Sequence, residues 1–265
     1  MAENFSLSVL GAGATAPSAH GSASSYLVSG ETGVILVDAG PGSLLTFYKE
    51  HALDELRGIV LTHLHADHSL DIMAWAYRWT FPDVLPRIPL YIPAGERHRL
   101  EAFDTLYGIP TLPTMVSPID QAFDIREMAI DGDTRYEIDS TELVTFAARH
   151  AVTSASLRFE RDGKSLVWSS DTGDCPGLRA AAAEADVFVS EATYLESNEE
   201  TERAMAAHGH LTPRLAGEIA TEVGVKHLVL THFAHPGDGE ASRERAAATF
   251  SGELSVAREG LTVTA

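Results

Sequence analysis

Seven histidine and aspartate side chains fall where apolar segments give way to polar ones, and their types suit a divalent cation. The densest run is Thr62-His63-Leu64-His65-Ala66-Asp67-His68. It follows an apolar stretch that starts at Gly58. His63 and His65 are two apart and point the same way on an extended backbone. Asp67 and His68 come where the chain turns into a helical pattern, so their side chains can address a neighbouring point. Imidazole nitrogens and a carboxylate suit zinc and related divalent ions. The alternative is a solvated polar loop that happens to hold three histidines. Further along, His150 ends TELVTFAARH, Asp171 ends KSLVWSSD and His232 ends KHLVLTH. Any one of these alone reads as a capping or surface residue. Together they repeat one grammar, an apolar strand that ends in a ligand-type side chain. Strand ends on one edge of a sheet converge in space, where α/β proteins place their sites.

The elements that must carry these residues are legible as periodic runs. FSLSVLG, SSYLVSG and GVILVDAG read as strands, the last nearly all apolar and so buried on both faces, with SGETG as a hairpin turn. GIVLTHLHADH is a fourth strand. SLDIMAWAYRW has helical spacing, which predicts Leu70, Met73, Ala74 and Tyr77 on one face. PLYIP is a short strand, 96–108 a helix and 110–122 a loop. TELVTFAARH, SLRFERDG, KSLVWSSDTG, VFVSEATY and KHLVLTHF are strand-like. GLRAAAAEAD, LTPRLAGEIATEVG and ASRERAAATF are helical; the second has a proline in its first turn and a glycine at its end, as capping prefers. Strand and helix units in both halves predict an α/β chain in helix–sheet–sheet–helix layers. No linker, low-complexity tract or charge block interrupts it, so residues 1–265 read as one domain.

Composition narrows the partners. Lys+Arg is 19 against 38 Asp+Glu, a net charge of −19. A polyanion binds through clustered Lys and Arg that release counterions, and no such cluster appears. Nucleic acid is therefore disfavoured as a partner. No apolar run is long enough for a membrane helix, and the start lacks a basic segment followed by an apolar one, so a cytoplasmic location is expected. The single cysteine, Cys175, excludes an internal disulfide.

His63-Leu-His65-Ala-Asp67-His68, then His150, Asp171 and His232 in order, resembles the metallo-β-lactamase superfamily. More narrowly the chain is similar to its ribonuclease Z-like branch, through LGAGATAPSAHGSASSYLV, VDAGPG, SSDTG, SEATY, HLTPRLAGEIA and LVLTHF. The resemblance covers nearly the whole chain. It implies an αββα four-layer sandwich and two divalent metal ions, zinc first, with manganese or iron as alternatives. His63, His65 and His150 would hold one ion, Asp67, His68 and His232 the other, and Asp171 would bridge them. A hydroxide shared between the ions would be the nucleophile, oriented by Asp67. His210, in GHLTP, matches a family histidine near the phosphate and would donate a proton or stabilise charge. Asp38, in VDAGPG, would be a structural aspartate that supports a metal ligand.

Other signals carry less. Gly11-Ala-Gly13 with the later Asp38 imitates a dinucleotide fingerprint, but that motif needs a helix straight after the glycines. Pro17 and a small-residue stretch follow instead, so the glycines read as a turn. His208 and His235 read as surface residues and Cys175 as a buried small residue. Trp75, Tyr77 and Trp79 read as core, with one of them at the substrate mouth.

Ribonuclease Z carries a long arm that grips transfer RNA between the positions matching His150 and Asp171. Here they are only 21 residues apart, so the arm is absent. With the acidic charge, this favours a small phosphodiester, and the chain is similar to actinobacterial members described as cyclic-nucleotide phosphodiesterases. The alternatives are a ribonuclease Z-like RNA endonuclease, a hydrolase of another ester class (arylsulfatase or lactonase), and a metal-binding sensor with little turnover. The branch also dimerises, which adds a homodimer to the expectations.

Overall fold

The computed structural model describes residues 5–196 and 198–265. The first half of the chain holds strands β1 (Ser6–Gly13), β2 (Ser22–Ala23), β3 (Ser25–Ser29), β4 (Val34–Val37), β5 (Leu56–Val60), β6 (Ile88–Pro93) and β7 (Phe123–Met128). The second half holds β8 (Asp131–Ile138), β9 (Thr141–Ala147), β10 (Ala155–Arg161), β11 (Lys164–Trp168), β12 (Val187–Glu191), β13 (His227–Thr231), β14 (Glu253–Val256) and β15 (Thr262–Thr264). Helices are α1 (Ser43–Phe47), α2 (Ala66–Ser69), α3 (Ile72–Thr80), α4 (Arg97–Tyr107), α5 (Pro118–Ala122), α6 (Pro176–Ala182), α7 (Glu199–His208), α8 (Pro213–Glu222) and α9 (Gly239–Ala247).

Among the described residues the strands form two sheets, β15-β1-β3-β4-β5-β6-β7 with β2 beside β1, and β14-β13-β12-β11-β10-β9-β8. Three apolar clusters separate four layers. Val9, Tyr26, Val37 and Val60 meet Leu157, Phe159, Trp168 and Val229 between the sheets. Leu36, Ile59, Ile72, Trp75 and Ile119 fill the space under the helices on the first sheet. Val167, Phe188 and Leu230 meet Leu178, Ile219 and Ala246 on the outer side of the second. This is the αββα sandwich, and strands buried on both faces explain why VILV, VFVSE and HLVLT read as unbroken apolar runs.

The pairing directions put the functional strand ends on one edge. In the second sheet β11, β12 and β13 run parallel. Strand β9 is antiparallel to β10, which is antiparallel to β11, so β9 points the same way as the other three. In the first sheet β4 and β5 are parallel. The sheets are joined at this edge by the Ala155 amide, which donates to the Thr62 carbonyl at 3.0 Å.

Three expectations are corrected. The helix after the histidine run buries Ile72, Trp75, Ala76 and Trp79, whereas Leu70 is exposed and Met73, Ala74 and Tyr77 lie at its flank. The two large indoles outweigh the smaller stripe, and both are core. Residues 110–122 end in α5, which Pro118 starts at its first turn. Gly11 and Gly13 do not make a turn. They lie in β1, where a bulge lets the short β2 approach: a Cβ on Gly11 would meet the Ala23 carbonyl oxygen at 2.2 Å. Strands β7 and β8 are additions to the sequence reading, because FDIREM and DGDTRYEI alternate charged with apolar residues and lack a continuous apolar run. Gly11→Ala should therefore destabilise by more than about 2 kcal/mol, read as a fall in thermal midpoint; an unchanged midpoint would show that β2 can retreat freely.

Candidate active site

Five apolar strands end in side chains that face one point. Past β5 come His63 and His65, past β9 His150, past β11 Asp171 and past β13 His232; β12 ends in Glu191 itself. Asp67 and His68 sit in α2, the one-turn helix that follows His65. A Cβ on Gly40 would stand 2.2 Å from the Asp67 carbonyl oxygen, so only glycine lets the β4 loop pass this turn. Asp38, Ser170 and His232 all have left-handed backbones, at φ 59, 58 and 57. Such conformations cost about 1–3 kcal/mol each and persist where packing over-determines them. Each lies just beyond a strand end and aims its own or the next side chain into the site.

The side chains sort into groups able to hold a cation: His63, His65, His150 and Asp171; Asp67, His68 and His232; and Asp171, His210 and His232. In the first, His65 Nδ1 lies 3.1 Å from both His63 Nε2 and His150 Nε2. In the second, His68 Nε2 lies 3.2 Å from His232 Nε2. A tetrahedral metal with nitrogen ligands at about 2.0–2.1 Å spaces those nitrogens about 3.3–3.4 Å apart. The observed spacings approach that edge length. Asp171 stands between the groups. Its Oδ1 is 3.3 Å from both His68 Nε2 and His232 Nε2, and its Oδ2 is 3.9 Å from both His63 Nε2 and His150 Nε2. Oδ1 is buried and has no hydrogen-bond partner. A buried carboxylate oxygen left bare is costly unless a cation meets it, so the residues fit a metal pair.

Outer partners set the imidazole tautomers. His68 Nδ1–H donates to Asp38 Oδ2 at 2.7 Å, and the same carboxylate accepts from the Thr62 amide and hydroxyl. His150 Nδ1–H donates to the Gly209 carbonyl at 3.2 Å. His232 Nδ1–H donates to the Thr193 hydroxyl at 2.9 Å, which itself donates to Glu191 Oε2. In each case the lone pair of Nε2 is left for the site, as metal-bound histidines require. The Thr15 amide donates to Asp67 Oδ2 at 2.7 Å.

The charges are pushed apart by burial and neighbours. Burial lowers the His63 pKa well below its ordinary value, with His68 adding to the effect; burial also lowers His65 and His150. All three stay neutral. Burial opposes ionisation of Asp67 and Asp171, but nearby imidazoles outweigh it and hold both carboxylates below their usual range. Burial also disfavours a charged His68, yet Asp171 and Asp38 hold its pKa well above normal. His210 belongs with Glu191. Its Nδ1 lies 3.0 Å from Glu191 Oε2, and against the effect of burial this carboxylate lifts its pKa to about 9. With its Nδ1 held by the Glu191 carboxylate, His210 stands beside the other two groups, ring to ring with His150 and His232.

The sequence-predicted residues His63, His65, Asp67, His68, His150, Asp171 and His232 converge, with Asp38 and His210 in contact with them. His208 is exposed at the end of α7 and His235 is exposed in the loop past β13. Cys175 is half-buried, not core. It precedes α6 with its thiol directed towards the Ala147 carbonyl, and it belongs to none of the three groups. Glu191, Thr193 and the Thr15 amide were missed. Glu191 had the same signal as the others, a ligand-type residue closing the apolar run VFVSE. A cavity of about 680 Å³ lies at the opposite end of the second sheet, where Lys164 and Lys226 are already paired with Asp186.

Comparison with known proteins agrees with this geometry. Residues 34–233 match the model of the β-lactamase superfamily domain. Ribonuclease Z of Streptomyces coelicolor is 30% identical over 292 residues, covering 96% of this chain and 95% of that protein. The metallo-β-lactamase fold protein YhfI of Bacillus subtilis superposes with a TM-score of 0.83 at 21% identity, over 98% of this chain and 99% of that one. A diphosphatase of the PhnP family superposes at 0.74 and 19% identity, over 99% and 98%. The chain belongs to the β-lactamase superfamily, as a metal-dependent hydrolase similar to the ribonuclease Z-like branch.

Proposed function

We propose that the chain is a phosphodiesterase with two divalent metal ions, acting on small phosphodiesters such as cyclic nucleotides. The observation that carries this reading is the Asp171 carboxylate, which turns one oxygen to each histidine group and keeps Oδ1 without a protein partner. His63, His65 and His150 would hold one ion, Asp67, His68 and His232 the other, and Asp171 would bridge them. Zinc suits this donor set best, with manganese or iron as alternatives. When bound, such a pair supplies a water of lowered pKa and polarises the phosphoryl oxygens.

The chain's own residues do the rest. Asp67, fixed by the Thr15 amide and ionised, accepts a hydrogen bond from the attacking water. Protonated His210 donates to the oxygen that leaves, and Glu191 holds its ring and its charge. Asp38 locks the His68 ring.

A small substrate is supported by charge and by the connection from β9 to β10. Between His150 and Asp171 lie only the end of the short 148–154 loop and the β10–β11 hairpin, with no room for an arm that grips transfer RNA. The second reading, an RNA endonuclease, is favoured by the relatives named ribonuclease Z that match the chain end to end. Salt separates the two: binding carried by phosphate contacts weakens steeply as salt rises.

Four results are expected. Purified protein should carry two metals by mass spectrometry and hydrolyse bis-p-nitrophenyl phosphate and cyclic AMP. His65→Ala should abolish both activities while circular dichroism stays native, and full activity in that variant would sink the assignment. Asp38→Ala should weaken metal affinity about ten- to a hundredfold, measured by chelator competition. In pH profiles, His210 must carry its proton, so kcat should fall on the alkaline side. Bound cations move that limb below the value of about 9. Glu191→Gln, which removes the counter-charge, should move it lower still. A limb that does not respond to Glu191→Gln would take His210 out of the proton-donor role.

A further inference from the structure

Beside the metal groups, on the far side of the loop that follows β1, lies a second cavity of about 240 Å³. Its walls include Gly13, His20, Phe233, Pro236, Val256 and Arg258. The same two connections shape this cavity and hold the site. The His232 amide donates to the Ala12 carbonyl at 3.1 Å, Gly13 and Phe233 pair as a β-bridge, and the Thr15 amide holds Asp67. His232, in its left-handed conformation, sends its ring to the site, while the next side chain, Phe233, lines the cavity. Their Cα atoms are one peptide apart, about 3.8 Å. The cavity thus begins within the span of one nucleotide from the catalytic groups.

Its chemistry is specific. Phe233, Pro236 and Val256 offer apolar faces, and glycines at 13, 21, 237 and 239 keep the space free. A Cβ on Gly239 would stand 2.6 Å from Val256 Cγ1. The volume is below that of sites for drug-sized ligands, which start at about 300 Å³, and it suits a single flat ring system. Among the described residues, the guanidinium of Arg258 and the imidazole of His20 make no hydrogen bond or ion pair, and both side chains are exposed at the wall. A planar guanidinium stacks on an aromatic face or donates to ring acceptors. Glu240 also lines the cavity. Its Oε1 is paired with the Arg243 guanidinium at 2.6 Å, which leaves Oε2 to accept from an exocyclic amino group.

We propose that this cavity receives the nucleobase of a small nucleotide whose phosphate lies at the metal groups. The proposal rests on the phosphodiesterase reading for the position of the phosphate. The test is calorimetric binding of adenosine 5′-monophosphate and of ribose 5-phosphate to the metal-loaded protein, its Pro236→Trp variant and its Arg258→Ala variant. Metal content and thermal midpoint report that each variant is folded and loaded. The wild type should bind the nucleotide at least about tenfold tighter than the sugar phosphate, a difference of about 1.4 kcal/mol. Both variants should lose most of that preference and keep their affinity for ribose 5-phosphate. Equal affinities in the wild type, or a preference untouched by both substitutions, would overturn the base site and leave the phosphodiesterase reading standing. A base preference lost in the variants, in a protein that cleaves no diester, would support the cavity and refute the activity.

Discussion

A carboxylate buried among histidines is unstable by itself, and most of the architecture around Asp171 exists to make that position tolerable. His63, His68, His232 and Asp171 are all nearly inaccessible to water. His63, His65 and His150 are pushed to neutrality, while Asp67 and Asp171 are held ionised. The site therefore presents lone pairs and negative charge to a space that water scarcely reaches. Unpaired buried charge costs several kcal/mol per ion, and a cation pair is the partner that the donor set admits. The outer partners can then be understood as one device. Asp38, Thr193 and the Gly209 carbonyl each take an Nδ1 proton, so that the opposite lone pair cannot rotate away.

The same constraint fixes the fold. Ligands drawn from β5, β9, β11 and β13 meet only if those strands end on one edge. That demands the parallel run β11-β12-β13, the two antiparallel turns that bring β9 back in phase, and a joint between the sheets at Thr62 and Ala155. Left-handed residues at three of the strand exits are where the cost of this convergence is stored. Because the strands themselves are apolar on both faces, the polar chemistry is confined to the first residues beyond them.

That confinement explains what could be read from the sequence. An apolar run closing in histidine or aspartate is visible without coordinates, so all seven ligand-type residues were accessible, and Asp38 and His210 followed through the family resemblance. Glu191 has the same grammar but was passed over, because its role appears only through the His210 ring that it meets. Backbone donors such as the Thr15 amide carry no side-chain signal at all. In the fold, continuous apolar strands were plain, while β7 and β8, whose exposed faces are charged, were not. Gly11 and Gly13 look like a turn in any window of sequence. Only the approach of β2 shows that they are strand residues lacking side chains for a neighbour's sake.

On the phosphodiesterase reading, an acidic protein that handles anionic substrates has to solve a problem of range. With a net charge of −19, such a surface would repel a long polyanion along its length of contact. Screening limits that repulsion to about 8 Å at physiological salt. A single phosphodiester feels only what lies within that distance of the site. There the balance would be different, since on that reading His210 and bound cations face the substrate while Glu191, the nearest carboxylate behind the ring, is already engaged by His210, Thr193 and two backbone amides. On that reading, discrimination between a small diester and a nucleic acid would need no gate, because it would follow from how much of the acidic surface each substrate must cover.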